Sequence, residues 1–263
     1  MPFFAMRGLQ VIWFKRDLRI TDHAPLFQAA QQGPVLPLYI FEPDLWKQPD
    51  LSGRHFQFLQ ECLLSLEKAL QKHGLTLTYR TGSVVDVLDK LHTTFGIENL
   101  WSHQETWNGW TYKRDRTVKA WCQSKQIKWH EPLQHGVIRR LKSRDGWANR
   151  WTQIMHQPLH TMPTSIVNAE APQEKRPTEK GLGIKADSCP ERQKGGRGAA
   201  EKTLYSFLEA RGVGYQKEMS SPVSAFDACS RLSPYLAFGV LSVREVYLAA
   251  EQRKKRNAPA SSI

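Results

Sequence analysis

The segment Cys229–Tyr247, CSRLSPYLAFGVLSVREVY, gathers groups that hold anions. Ser233 followed by Pro234 reads as an N-cap with proline at the first helical position, where the missing N–H costs nothing. Gly239 can end that short helix, and Ser242 with Glu245 makes a Ser-x-x-Glu capping box for the next. Exposed N–H groups at the helix start, the Ser230 and Ser233 hydroxyls and the Arg231 guanidinium together form a cradle for phosphate. An ordinary helix-turn-helix with good caps has the same pattern, and the residues alone leave both readings open.

A second charged group, Lys15, Arg16, Asp17 and Arg19, follows the apolar run LQVIWF. It marks the carboxyl end of a strand, where open α/β sheets bind ligands, or else a solvated loop in which Thr21 or Asp22 caps the next helix. No glycine stands there, which disfavours the dinucleotide fingerprint. GGRGAAEK at 195–202 opens a helix but lacks the Gly-Lys-Ser/Thr end of a phosphate-binding P-loop, so it reads as a flexible way into a second domain. Cys62, Cys122, Cys189 and Cys229 are far apart with no C-x-x-C pair, which removes the usual zinc, iron–sulfur and redox spacings and predicts no metal.

The elements that must position these groups alternate. Short apolar runs at 9–14, 34–41, 75–79, 97–102 and 127–131 predict five buried strands of a parallel sheet. Between them lie amphipathic stretches, clearest where Phe56, Leu59, Leu63, Leu66 and Leu70 recur at three and four and Gly74 supplies a stop. The alternation predicts a doubly wound α/β domain over 8–135. Residues 136–198 read as connector and linker, the part from 168 being rich in Pro, Gly and charge. From 199 to 263 the spacing turns helical and predicts the beginning of an α-helical domain, incomplete at the basic, Pro- and Ser-ended tail RKKRNAPASSI.

Lys and Arg outnumber Asp and Glu by 37 − 25 = 12, an excess that favours an anionic partner and equally fits an inert basic surface. No run of about 18 apolar residues is present to span a membrane. The N-terminal MPFFAMRGLQ lacks the plan of a secretory signal, so the expected compartment is the cytoplasm.

Four motifs, WFKRDLR, SHQETWNGWTYKRD at 102–115, GGRGAAEKTLYSFLEARG at 195–212 and SRLSPYLAFGVLSVREVY at 230–247, resemble the photolyase/cryptochrome flavoproteins in that order. The resemblance implies that the last segment holds the phosphates of FAD at the start of an all-α FAD-binding domain. It implies FAD contacts from Tyr215, Cys229, Ser230, Arg231, Leu232 and Ser233. Cys229 stands where the family commonly has Thr, and a thiol donates more weakly than a hydroxyl. Where repair members often carry a DNA-contacting Arg, this chain has QKEMSS, with Lys217 as a substitute point charge. The α/β domain of the family commonly holds a second, light-harvesting chromophore of folate or flavin type, for which Glu105 and the RDLR loop are candidate contacts.

By that resemblance the expected activity is a deoxyribodipyrimidine photo-lyase: light-driven electron transfer from FAD that repairs cyclobutane pyrimidine dimers in damaged DNA. No catalytic residue is expected in this chain, which reads as a truncated form inactive alone, its partner a missing C-terminal half. The alternatives are a cryptochrome-like blue-light photoreceptor, a non-catalytic interaction subunit, or a small-molecule binder with its ligand near Lys15–Arg19. The nine tryptophans all precede the helical part and are expected to pack rather than carry electrons.

Overall fold

The computed structural model describes residues 8–257; the readings of MPFFAMR and of the tail past Asn257 concern residues outside that range. Strands β1 (Leu9–Phe14), β2 (Val35–Phe41), β3 (Thr78–Thr81), β4 (Ile97–Trp101) and β5 (Lys128–His130) form one sheet in the order β3-β2-β1-β4-β5. All the pairings are parallel. β1 and β2 are buried at every position, as their unbroken apolar runs require of strands covered on both faces. The sequence predicts the third strand over 75–79, but its ladder starts at Thr78 opposite Leu38. Leu75 is still closing the preceding helix, its N–H donating to the Leu70 carbonyl at 3.1 Å.

Helices α1 (Ala24–Ala30), α2 (Pro43–Trp46), α3 (Gly53–Gln71), α4 (Val84–Phe95) and α5 (Gly109–Ser124) cover the sheet. The apolar stripe predicted on α3, Phe56 through Leu70, is buried against Phe14 and Phe41. On the other face Leu88, Val118 and Trp121 pack on Val11, Leu36 and Leu38. The α/β class and five parallel strands are as the sequence predicts.

Then come α6 (Trp147–Met155), α7 (Arg197–Glu209), a 3-10 turn at Arg211–Gly214, α8 (Tyr215–Glu218), α9 (Ala225–Ala228), α10 (Ser233–Ala237) and α11 (Val243–Asn257). Leu204, Leu232, Tyr235, Val240 and Leu241 join the core on the α3 side of the sheet. The Phe58 ring on α3 lies 5.5 Å from Tyr235 and 5.2 Å from Phe238.

The stretch 168–198 is irregular but fastened. Val35 donates to the Val167 carbonyl and accepts from the Ala169 N–H, both at 2.8 Å, and Arg192 pairs with Glu61 of α3 at 2.8 Å. Two of the three glycines read as a flexible passage, Gly195 and Gly196, are close-contact residues instead. Gly195 donates to Glu61 at 2.5 Å, and a Cβ there would stand 2.4 Å from the Phe58 carbonyl oxygen. Glycine lets this backbone lie directly on α3.

Candidate functional site

β1 delivers the charged loop at the carboxyl edge of the sheet, beside the point where strand order reverses between β1 and β4. Solvation is not its state. Asp17 is fully buried and Arg19 is 3% exposed. The Asp17 carboxylate accepts from the Lys15 N–H at 2.8 Å, His23 Nε2 at 3.0 Å and His103 Nδ1 at 2.7 Å. Burial alone would raise this carboxyl, but the two histidines outweigh it and hold it well below the usual range. Burial pushes His103 down to about 3, so its ring stays neutral.

Ligand atoms of Asp17, His23 and His103 lie within 4.8 Å of one another, the spacing of a metal set. Their bonding points elsewhere. His23 Nδ1 accepts the Leu26 N–H at 3.1 Å, which puts the ring proton on Nε2 toward Asp17. The group is a hydrogen-bonded network that ties the loop to α1. His23 caps α1 where the sequence predicts Thr21 or Asp22. Asp22 is taken by Arg244 of α11, whose Nε donates to it at 3.0 Å.

Above this loop opens a cavity of about 500 Å³. Trp13, Tyr39, Trp46, Phe58, Trp107 and Phe238 give it aromatic walls, while Arg16, Arg54 and Arg231 bring positive charge. The Arg16 guanidinium lies 4.0 Å over Trp107, and its Nε donates to the Ala237 carbonyl at 2.7 Å. Glu105, the candidate chromophore contact, is on the wall, with its carboxylate bonded to Arg114. Arg114 also donates to Glu42 at 2.8 Å and to Asp115 at 2.8 Å. Burial pushes the Glu42 carboxyl up to about 7, Arg114 opposing and Glu105 adding to the rise. The wall therefore carries a carboxyl that titrates near neutrality.

The CSRLSP segment crosses the far side of this cavity. Arg231 and Ser233 line it, Leu232 is buried beneath, and the Arg231 guanidinium stacks 3.6 Å over Phe226. Arg231 takes φ +58, and Leu232 takes φ −86 and ψ −10. A left-handed residue followed by a right-handed one turns successive N–H groups to one side, the concavity that takes anions. Among the described residues the N–H groups of Ser230 to Ser233 and the hydroxyls of Ser230 and Ser233 have no hydrogen-bond partner. The carbonyl side is held: Arg211 donates to the Thr203 carbonyl at 3.1 Å, the Ser230 carbonyl at 3.3 Å and the Cys229 carbonyl. Gln193 holds the Arg231 carbonyl at 2.9 Å.

Ser233 is itself the first helical residue, with Leu232 in the cap position, so its hydroxyl stays exposed rather than capping a helix begun at Pro234. The Ser242–Glu245 box forms as predicted, at 2.8 and 3.0 Å. Tyr215 and Lys217 lie on exposed α8 with no hydrogen bond to Ser230–Ser233, Tyr215 edge-on to Phe207 at 5.7 Å. The sequence reading missed the aromatic walls. Trp13 and Tyr39 sit near the ends of the first two strands, the one signal that could have found them.

The profile of the DNA photolyase family matches residues 10–146. A cryptochrome DASH of Arabidopsis thaliana is 24% identical over 97% of this chain and 49% of its own length. A deoxyribodipyrimidine photo-lyase of Synechococcus sp. is 26% identical over 91% and 53%. An uncharacterized 31.6 kDa protein, also from Synechococcus sp., is 26% identical over 92% of this chain and 89% of its own length. Among solved structures, a class III photolyase from Agrobacterium tumefaciens shares the fold with a TM-score of 0.78 at 22% identity, over 98% of this chain and 56% of that one. A Sulfolobus tokodaii photolyase solved with two FAD molecules has a TM-score of 0.72 at 22% identity, over 94% and 56%. The chain thus spans about half the length of the first relatives it matches. With the sheet, the loop and the motifs in place and more than half of its residues matched, the chain belongs to the DNA photolyase family.

Proposed function

We propose that this chain is the chromophore-holding half of a photolyase-type flavoprotein that repairs cyclobutane pyrimidine dimers in DNA, working in the cytoplasm. The observation that carries the reading is the unpartnered row of donors at Ser230–Ser233. These N–H groups and hydroxyls would hold the FAD diphosphate, Arg231 would balance its charge, Leu232 would pack beneath, and Cys229 and Tyr215 would flank it. Bound FAD would supply the light-driven electron transfer that repair requires. The chain's own residues bind and orient, and Arg211 keeps the cradle's carbonyls turned away.

Val213, Tyr215, Met219, Val223 and Phe226 are exposed in the short helices and turns that lead into the cradle, Phe226 under the Arg231 guanidinium. In this reading they receive the remaining half of the flavin pocket, so the chain alone holds FAD weakly and repairs nothing. The cavity behind Arg231 would hold a second, light-harvesting chromophore of flavin or folate type between Trp107, Tyr39 and Phe238, with Glu105 as a polar contact. Lys217 on α8 is a DNA contact in the same scheme.

A cryptochrome-like photoreceptor is the second reading, favoured by the plant cryptochrome DASH that matches 97% of the chain. Deleting the gene in a strain lacking other photolyases separates the two. Repair predicts slower blue-light-dependent loss of pyrimidine dimers from cellular DNA, and an unchanged rate overturns it.

A further inference from the structure

The chain carries a net charge of +12, and one helix and a neighbouring turn present six basic side chains with no acid beside them on that helix's exposed face. Helix α5 turns Tyr112, Lys113, Arg116 and Lys119 to solvent, while Asp115, its one acid, points inward to Arg114, Lys15 and Arg139. The turn at Arg139–Arg140 lies on the same helix, Arg140 donating to the Tyr112 hydroxyl at 2.8 Å. That hydrogen bond, with the charges of Arg140, Arg116 and Arg139, lowers the Tyr112 phenol, so three guanidiniums stand within electrostatic reach of one hydroxyl. Exposed Lys142 and Arg144 follow in the chain.

Among the described residues, none of Lys113, Arg116, Lys119, Arg140, Lys142 and Arg144 pairs with a carboxylate. Arg54, Arg80, Arg192, Arg197 and Arg253 each do, while exposed lysines such as Lys72 and Lys90 are unpaired but form no row of this kind. A like-charged row destabilises its own helix unless an anion shields it. Charge drawn out along a convex helix and a neighbouring turn fits an extended polyanion better than a small one. Apart from the basic residues, α5 exposes Gly109, Tyr112, Thr117, Ala120, Gln123 and Ser124, and Tyr112 is the one large ring among them, too little apolar surface to enter a bilayer.

We infer that this face of the α/β unit binds the phosphate backbone of duplex DNA, as a surface separate from the cradle at Ser230–Ser233. The inference rests on the repair reading only for the identity of the polyanion. It does not depend on flavin or light.

The test is fluorescence anisotropy with an undamaged labelled duplex, in the dark and without flavin, over a salt series. The triple variant Lys113→Gln/Arg116→Gln/Lys119→Gln should bind about tenfold or more weakly at low salt. Its slope of log affinity against log salt should fall by about one for each phosphate contact removed. Arg140→Gln, in the turn, should lower the slope by about one by itself and covers the case of a triple variant that fails to fold. Lys72→Gln, exposed at the end of α3, should change neither quantity. Variants that bind with wild-type affinity and slope overturn the inference, as does a wild-type chain that binds anionic phospholipid vesicles but not the duplex. Because no flavin is present, either failure leaves the cradle reading untouched, and a failed cradle leaves this one standing.

Discussion

Gly239 meets Arg16 backbone to backbone: a Cβ at 239 would lie 2.2 Å from the Arg16 carbonyl oxygen. Around that contact Leu18 donates to the Phe238 carbonyl at 3.1 Å and Arg19 to the Gly239 carbonyl at 3.0 Å. The first strand's loop and the last motif, more than 200 residues apart, are thereby one structure. Gly239 also has φ +63, which a side chain strains. Gly239→Ala should cost about 2 kcal/mol or more, since both the clash and the dihedral oppose it. Urea unfolding checks this, and an unchanged midpoint would contradict it.

Glu42 should make stability depend on pH. Its folded carboxyl titrates at about 7 against an ordinary 4.5, with burial as the cause. Between those values the folded chain keeps a proton that the unfolded chain has released. Stability is therefore full below the lower value and falls as pH rises through the upper one, by on the order of 3 kcal/mol. Glu42→Gln should flatten the difference between urea midpoints at about pH 5 and about pH 8. A variant as steep as the parent would show that another group titrates.

Arg211 fixes the cradle from behind, joining the Cys229 and Ser230 carbonyls to the Thr203 carbonyl of α7. Arg211→Lys keeps the charge but cannot reproduce the fork, so it should weaken FAD binding by about tenfold, with a smaller effect on the unfolding midpoint. Equal FAD affinity in the variant would remove Arg211 from the account.

Cys229 offers a gain rather than a loss. If the proposed phosphate site is right, Cys229→Thr would place a stronger donor beside it and should raise FAD affinity by about three- to tenfold, a hydrogen bond's usual net worth. Calorimetric titration reads this directly. No gain would mean that position 229 faces away from the ligand.

Much of this was legible because it is written in local patterns. Unbroken apolar runs give β1 and β2, the three-and-four spacing gives α3, and Ser242 with Glu245 gives the start of α11. What was not legible depends on contacts distant in sequence. Burial of Asp17 requires His103, 86 residues away, and Asp22 is lost to capping because Arg244 claims it. Gly195 and Gly239 read as punctuation, yet each serves a backbone-to-backbone contact that only the assembled chain shows. Glu105, singled out through its motif, lies on the cavity wall. The aromatic walls were missed because a buried tryptophan at a strand end has the composition of ordinary core.

The most direct test of the cradle is a paired titration of the purified chain with FAD and with riboflavin, which lacks the phosphates, read by flavin fluorescence. Weak FAD binding that exceeds riboflavin binding by about tenfold, and loses that preference in Arg231→Gln, is the predicted result. FAD and riboflavin binding equally, or a preference that survives the loss of Arg231, would contradict a phosphate site at Ser230–Ser233.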